Sequence, residues 1–495
     1  MPSKLNLMPR KFIIFSFLLK AVVILIFHGL YQEYANNSEI LFGFPRSNDE
    51  GINVIPIDNL VETGTYGIGD GSKPYTGRTP AMIFPYVIFT FFFDKPIALG
   101  IQGIFQIILS LISTVCLFQI IYKMIPKIKD WFFYFLIILY VLGSPFNHWD
   151  IQLNPESLSV SSFIFSLYFL QRRKTNLDIL ISGLFLTWCF FLRGFLGVYF
   201  IVFVLYILWT VRINGDGVLP RLKTVFIFLI PFMIFEGAWI SRNFVCCSEF
   251  IPLQSSLSDE ADAYEGNVHY KQSMLRARKL MHAMGGETIH YYPNAHMNFF
   301  YPESEASALR FLPQIAIKDS SFTLSLFELR SNILAARESG NPVLEKRIIV
   351  LSDSLRSQFI KQNSFFFYFI KPFLSIRNFF TFNVSSDWPG LSFRDSPSII
   401  KIWKLSNVLC YYGLILLSFI SVFFKFQHPH SNIKYWNYFF WSCLFLFLIP
   451  FMFYFDTAEY KYFFTSYVSL FIILSMKTSI LIEDFSIAGK NVNRT

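Results

Sequence analysis

Long apolar runs separated by short polar or basic breaks dominate this chain, and they are too long for the period-two alternation of strands. A spanning helix needs roughly 20 mostly apolar residues. By that measure the pattern predicts helices near 12–31, 97–122, 131–146, 157–171, 177–192, 194–211, 224–241, 401–424, 435–455 and 462–482. The implied fold class is mainly α: a polytopic membrane protein with about ten transmembrane helices. The run from Phe12 to Leu30 follows Lys4, Arg10 and Lys11 and has no small-residue cleavage site after it. It reads as a retained helix, not a signal peptide. A further apolar run at 81–94 is broken by Pro85 and reads as a piece dipping into the membrane.

Two long polar stretches interrupt the pattern. They divide the chain into an N-terminal membrane module (1–241, with a first external loop at 32–96), an outer subdomain (242–400) and C-terminal membrane helices (401–495). Within the outer subdomain the segments 304–319, 322–338 and 343–362 carry helical spacing. The next segment, "SFFFYFIKPFLSIRNFF", mixes aromatics with Lys371 and Arg377 and reads as a helix lying in the interface, with one more spanning helix as the alternative.

Composition and charge narrow the class. The chain has 62 Phe, 54% hydrophobic residues and a formal charge of +9, which raises the question of nucleic acid. Most of the basic residues, however, sit in short loops between apolar runs: Lys123, Lys127 and Lys129; Arg172, Arg173 and Lys174; Arg212, Arg221 and Lys223. That is the positive-inside pattern, so nucleic acid is not expected as a partner and these loops are expected in the cytoplasm. Both termini then face inward and the two long polar stretches face outward.

The candidate chemistry lies in those outer loops. Asp49 and Glu50 are adjacent acids just after the first span, and an acid at the membrane surface can serve as a general base. Glu156 follows Pro155 at the start of a helical run, where it also complements a helix N-terminus. Arg78, Arg193 and Arg242 are candidate phosphate cations, because a guanidinium grips phosphate through two parallel bonds. Arg193 sits in an apolar run and Arg242 beside Trp239, so snorkelling and interfacial anchoring are the alternatives. Lys461, between Tyr460 and Tyr462, has the same two readings. His148 and Asp150 are expected to line the mouth of the cavity. His148, Asp150 and Glu156 have no recognised ligand spacing, and no metal site is assigned.

Five elements together resemble one family. Asp49, Asn59-Leu60, Gly64, Tyr66, "GRTP" with Arg78, and Pro85 follow one another in the first loop. "SPFNHWDIQLNPESLSV" with Glu156, "FFLRG" with Arg193, "GAWISRNF" with Trp239, Arg242 and Asn243, and "DTAEYKYFF" with Lys461 come after it in order. This series resembles the GT-C membrane glycosyltransferases, which include protein O-mannosyltransferases and the bacterial aminoarabinose transferase of lipid A. Arg193 precedes a Gly where that family has Pro, and Lys461 stands where it has Arg.

The resemblance implies an inverting transfer of a hexosyl or pentosyl group from a polyprenyl-phosphate carrier to an acceptor hydroxyl, at the outer face of the membrane. The acceptor is a glycan, a lipid or a protein. In this reading Asp49 is the base, with Glu50 and Glu156 as further catalytic acids. Arg78, Arg193, Arg242 and Lys461 hold the donor phosphate, and Tyr66, Asn59 and His148 contact acceptor or sugar. The donor is a lipid-linked sugar, no other cofactor is implied, and a divalent metal stays open. The Phe-rich, low-Ala composition suggests a bacterial inner membrane with the site facing the periplasm. The competing readings are a transporter or flippase of lipid-linked glycans, which would concentrate ionisable residues at mid-membrane, and a polymerase or ligase of such glycans.

Overall fold

A computed structural model describes residues 8–35, 43–44, 50–67, 74, 83–125, 128–143, 147–213, 218–247, 250–252, 271–285, 299–300, 308–309, 312, 314–339, 341–381, 393–420, 431–453 and 463–492. Among the described residues the protein is helical and has no strand; Gly67 and Pro74 form an isolated antiparallel bridge. The first part holds α1 (Arg10–Ala35), α2 (Glu50–Thr63), α3 (Ile83–Thr90), α4 (Lys95–Met124), α5 (Asp130–Gly143), α6 (Pro155–Arg172), α7 (Asn176–Leu192), α8 (Val198–Ile213) and α9 (Val218–Cys247). Then come α10 (Lys271–Ala283), α11 (Ser320–Ser339), α12 (Pro342–Gln362), α13 (Lys371–Thr381), α14 (Ser398–Ile420), α15 (Ser431–Phe453) and α16 (Phe464–Val492). Among the described residues each of the ten apolar runs is helical. Four helices, at Arg10–Gln32, Lys95–Met124, Val218–Cys246 and Ser398–Ser418, are long and apolar enough to cross a membrane, and they fit an integral membrane protein. Shorter apolar helices stand at Asp130–Gly143, Asn176–Leu192, Gly194–Thr210, Tyr435–Ile449 and Thr465–Ile480.

The helix α6 is the hub. Its sequence carries five serines, Ser157, Ser159, Ser161, Ser162 and Ser166, and it is buried along most of its length. Small side chains let neighbouring backbones approach, and their hydroxyls find carbonyl partners inside the bundle. Ser166 and Ser182 each donate to the other's carbonyl at 2.8 Å, locking α6 to α7. A Thr175–Asp178 capping box starts α7. On the far side of α7, a Cβ on Gly183 would lie 2.0 Å from the Phe228 carbonyl oxygen, so only glycine permits the approach of α9. Aromatic edge-to-face pairs such as Phe118–Phe133 and Phe118–Phe471 fill the large core.

A second hydrophobic core, built from Leu280, Met284, Leu329, Ile333, Ile348 and Phe359 among others, lies within the region expected to form the outer subdomain. The helices expected over 322–338 and 343–362 appear as α11 and α12. The helix expected over 304–319 is, among the described residues, two short helical turns at 308–309 and Gln314–Ile317. Pro313 lies between them; it lacks an N–H and disfavours helix at the residue before it. The segment after α12 passes through a wide helical turn at Phe366–Ile370 into α13. It exposes Phe365, Phe369 and Phe373, as an interfacial helix would. The helices α2 and α10 were not expected from the sequence pattern.

Candidate functional site

Between α5 and α6 the described chain is non-helical except for one tight turn, Asn147–Asp150, and from Asn147 to Asn154 it is buried throughout. Lys11 at the start of α1 pairs with Asp130 at the start of α5, so these two helices begin level with each other. At 1.5 Å per residue, α5 ends after about 20 Å, and Lys20 stands about 15 Å along α1. The irregular segment therefore sits level with the middle of α1, well inside the bundle. Irregular backbone at such depth persists only where protein groups satisfy it.

Gln106 and Asn147 bond backbone carbonyls here, and Lys20 and Ser157 hold the segment's polar side chains. The Gln106 amide nitrogen, on α4, donates to the carbonyl oxygens of Trp149 (2.8 Å), Asp150 (3.3 Å) and Gln152 (2.7 Å). The Lys20 ammonium donates to Asn147 Oδ1 and Asp150 Oδ2, each at 2.5 Å, and the Ser157 hydroxyl donates to Asp150 Oδ1 at 2.5 Å. Asn147 donates in turn to the Val141 carbonyl at 2.7 Å. Asp150, expected at a cavity mouth, is thus an enclosed counter-ion; its side chain is 1% exposed and that of Lys20 is 0% exposed.

One turn further on, Glu156 occupies the second position of α6, where the helix N-terminus favours a negative charge. Arg193, at the end of α7, donates to Glu156 Oε1. Glu156 Oε2 is buried and has no hydrogen-bond partner among the described residues. The same holds for both amide atoms of Gln102, one turn nearer the start of α4 than Gln106. An unsatisfied buried polar group costs about 1–3 kcal/mol, so these atoms are open to a polar partner such as a water or a bound group.

The first loop and α9 meet in a second cluster. Gly64, with φ +77°, ends α2 in the left-handed conformation that favours glycine, and its N–H reaches the Leu60 carbonyl. The chain then turns back so that Asn59 donates to the Gly67 carbonyl at 2.8 Å. Arg242 donates to the Tyr66 carbonyl at 2.9 Å, lies over the rings of Tyr66 and Trp239, and holds Asn243 Oδ1 at 2.9 Å. Asp58, which the sequence pattern did not single out, accepts from Tyr86 at 2.9 Å and from Lys95 at 2.5 Å, tying α2 to α3 and α4.

One hydrophobic cluster floors both groups. It contains Ile57 and Tyr66 of the first loop, Leu153 and Leu158 around Glu156, Leu192 before Arg193, and Trp239 before Arg242. Four of the five sequence elements therefore converge. Glu156 and Arg193 are in contact, His148 belongs to the buried segment leading to Glu156, and Asn59, Tyr66 and Arg242 form the adjoining clamp. In this arrangement Asn59, Tyr66 and Arg242 all engage partners within the protein. Glu50 begins α2, and its side chain lies outside the described residues, as do Asp49, Arg78 and Lys461.

Beside this floor, α3, α4, α7 and α9 enclose an almost wholly apolar cavity of about 530 Å³, lined by Pro85, Phe89, Phe105, Trp188, Phe191 and Phe235 among others. Phe191 lies two residues before Arg193, so the cavity reaches the end of α7 that carries the cation. Among the described residues no group of three or more His, Cys, Asp or Glu side chains is placed to hold a metal ion. Comparison of the chain with family models, with curated proteins and with solved structures gave no match.

Sequence reasoning missed Lys20, Gln102 and Gln106. The signal for Lys20 was available: it is an ionisable residue in the middle of an otherwise apolar run, which marks a functional or structural ion pair.

Proposed function

We propose that the protein is an inverting glycosyltransferase that moves a sugar from a polyprenyl-phosphate carrier to an acceptor hydroxyl at the outer face of a bacterial inner membrane. The carrying observation is the Glu156–Arg193 pair at the end of an apolar cavity, on a hydrophobic floor shared with the first loop and the end of α9. In this reading α1, α4–α9 and α14–α16 make ten spans with both termini inside. The basic loops support that orientation.

The chemistry needs three things in one place. The carrier's isoprenoid chain needs an apolar channel open to the bilayer, and the cavity between α3, α4, α7 and α9, with Ile88 and Leu184 of its lining exposed, fits that need. Its phosphate needs cations as negative charge builds on the leaving oxygen. Of the four proposed, Arg78, Arg193, Arg242 and Lys461, Arg193 has the strongest support, since Glu156 orients its guanidinium beside that channel. The acceptor hydroxyl attacks the anomeric carbon, the carbon–oxygen bond to the phosphate breaks, and the hydroxyl proton passes to a carboxylate. Asp49 is proposed as that base, with Glu50 beside it.

The test is transfer of radiolabelled sugar from polyprenyl phosphate in membrane vesicles. Asp49→Asn should lower the rate about 10²–10⁴-fold, the usual worth of a placed general base. Unchanged transfer by folded Asp49→Asn protein would overturn the assignment. A second reading, a flippase for lipid-linked glycans, draws on the Lys20–Asp150 pair inside the bundle. Carrier translocation without transfer, in proteoliposomes, would favour it.

A further inference from the structure

At the opposite end of the bundle α8 stops and α9 and α15 begin, and the three helices part around another cavity of about 530 Å³. Trp209, Tyr435, Tyr438 and Leu446 give it an aromatic and aliphatic wall, and Arg221 and Ser442 add polar groups. Trp209 lies nearly parallel to Tyr438, with centroids 6.2 Å apart, and meets Tyr435 edge-on at 5.4 Å. Leu205, Trp209 and Tyr438 are also exposed on the outside of the bundle, so one wall of the cavity faces the surrounding medium.

This is the cationic end. Arg173 stacks 5.6 Å over the ring of Tyr206, another lining residue, and donates to Thr210 at 2.5 Å. Lys123 lies over Tyr168, and the Gln171 amide donates to the Ile120 carbonyl, bringing the ends of α4 and α6 to the same level. Arg172 is paired with Asp178 at 3.1 Å, and among the described residues that line the cavity there is no acid.

We infer that this cavity is a binding site for one anionic phospholipid. Its phosphate pairs with Arg221, and Arg173 behind Tyr206 raises the local positive potential. A guanidinium holds phosphate more strongly than it holds a neutral acceptor. Trp and Tyr belong at the headgroup level of a bilayer, and basic pockets between helices on the cytoplasmic side collect acidic headgroups. The exposed apolar wall, Leu205 with Trp209, is the surface along which an acyl chain leaves the cavity for the bilayer. A free inorganic anion would make no use of that wall. The site stands at the end of α6 remote from Glu156, so it is independent of the transfer chemistry.

The experiment is native mass spectrometry of the purified full-length protein in detergent, titrated with dioleoyl phosphatidylglycerol or dioleoyl phosphatidylcholine. Phosphatidylglycerol should be retained as one adduct at about tenfold lower concentration than phosphatidylcholine. Arg221→Gln should erase most of that preference, and Lys223→Gln, exposed two residues along α9, should preserve it. Should Arg221→Gln not fold, Ser442→Trp fills the cavity from α15 and should exclude the lipid while the protein's melting temperature is followed in parallel. Equal retention of both lipids, or full retention by Arg221→Gln, would overturn the inference. So would inorganic phosphate raising the melting temperature as far as phosphatidylglycerol does, since that marks an anion site with no lipid.

Discussion

Replacing Lys20 by Met probes the ion pair that holds the buried segment. The two side chains are 0% and 1% exposed, with 2.5 Å between Nζ and Oδ2. At that separation and an effective dielectric constant of about 20, their attraction is roughly 6–7 kcal/mol. Each ion also loses several kcal/mol of hydration on burial, so the intact pair is close to break-even. The asymmetry appears when one partner goes. Lys20→Met keeps the length of the stem but leaves Asp150 with the Ser157 hydroxyl and no counter-charge. The expected loss is about 3–5 kcal/mol. Asp150→Asn removes the ammonium's counter-charge in the same way and leaves it beside Asn147 Oδ1. The double variant Lys20→Met/Asp150→Asn removes both charges, and residues in direct contact couple by about 0.5–3 kcal/mol. The double should therefore be clearly more stable than the sum of the singles allows. The assay is reversible unfolding in mixed micelles with increasing dodecyl sulfate, read by circular dichroism. Single variants that each cost under about 1 kcal/mol, or a strictly additive double, would refute a coupled buried pair.

Gly183→Ala should destabilise by about 1–3 kcal/mol in the same assay, because the new methyl group meets a backbone oxygen that cannot swing aside. Gly237→Ala, whose Cβ would meet nothing within 4 Å, should be close to neutral, and equal effects would remove the close-packing account of α7 on α9. Outside the membrane helices, the Ser321 hydroxyl and the N–H groups of Phe322 and Ser321 hold the Asp319 carboxyl below the usual carboxylate range as it caps α11. A lowered folded pKa gives stability that is fully present above the unfolded value of about 3.9 and is lost as pH falls through the folded value. The gap in unfolding midpoint between wild type and Asp319→Asn should thus be constant near neutrality and close below about pH 4. A gap that persists in acid would contradict the cap.

The helices were legible because their cause is local. A run such as "FIIFSFLLKAVVILIFHGL" fixes a helix by its own length and apolarity, since backbone groups away from water must bond within the segment. α12 was legible for a similar reason: Asn341 caps it, Pro342 suits its first turn, and its apolar residues recur at helical spacing. The site was legible in part. Glu156 and Arg193 stood out as charges in apolar surroundings, but nothing along the chain says that they touch. The run "NHWDIQLN" reads as an exposed loop, because eight mostly polar residues with no period look the same whether water or protein satisfies them.

The sequence by itself determined a helical, membrane-suited chain with basic breaks and candidate acids near polar loops. The tertiary structure decided that Lys20 meets Asp150 across 130 residues, that Gln106 serves three carbonyls of the segment between α5 and α6, and that Gly183 lets α9 close on α7. Hydrophobic length is a sum over neighbours in the chain, so it can be read in order. A buried charge is tolerated only beside its partner, and which residue becomes that partner depends on how the helices pack.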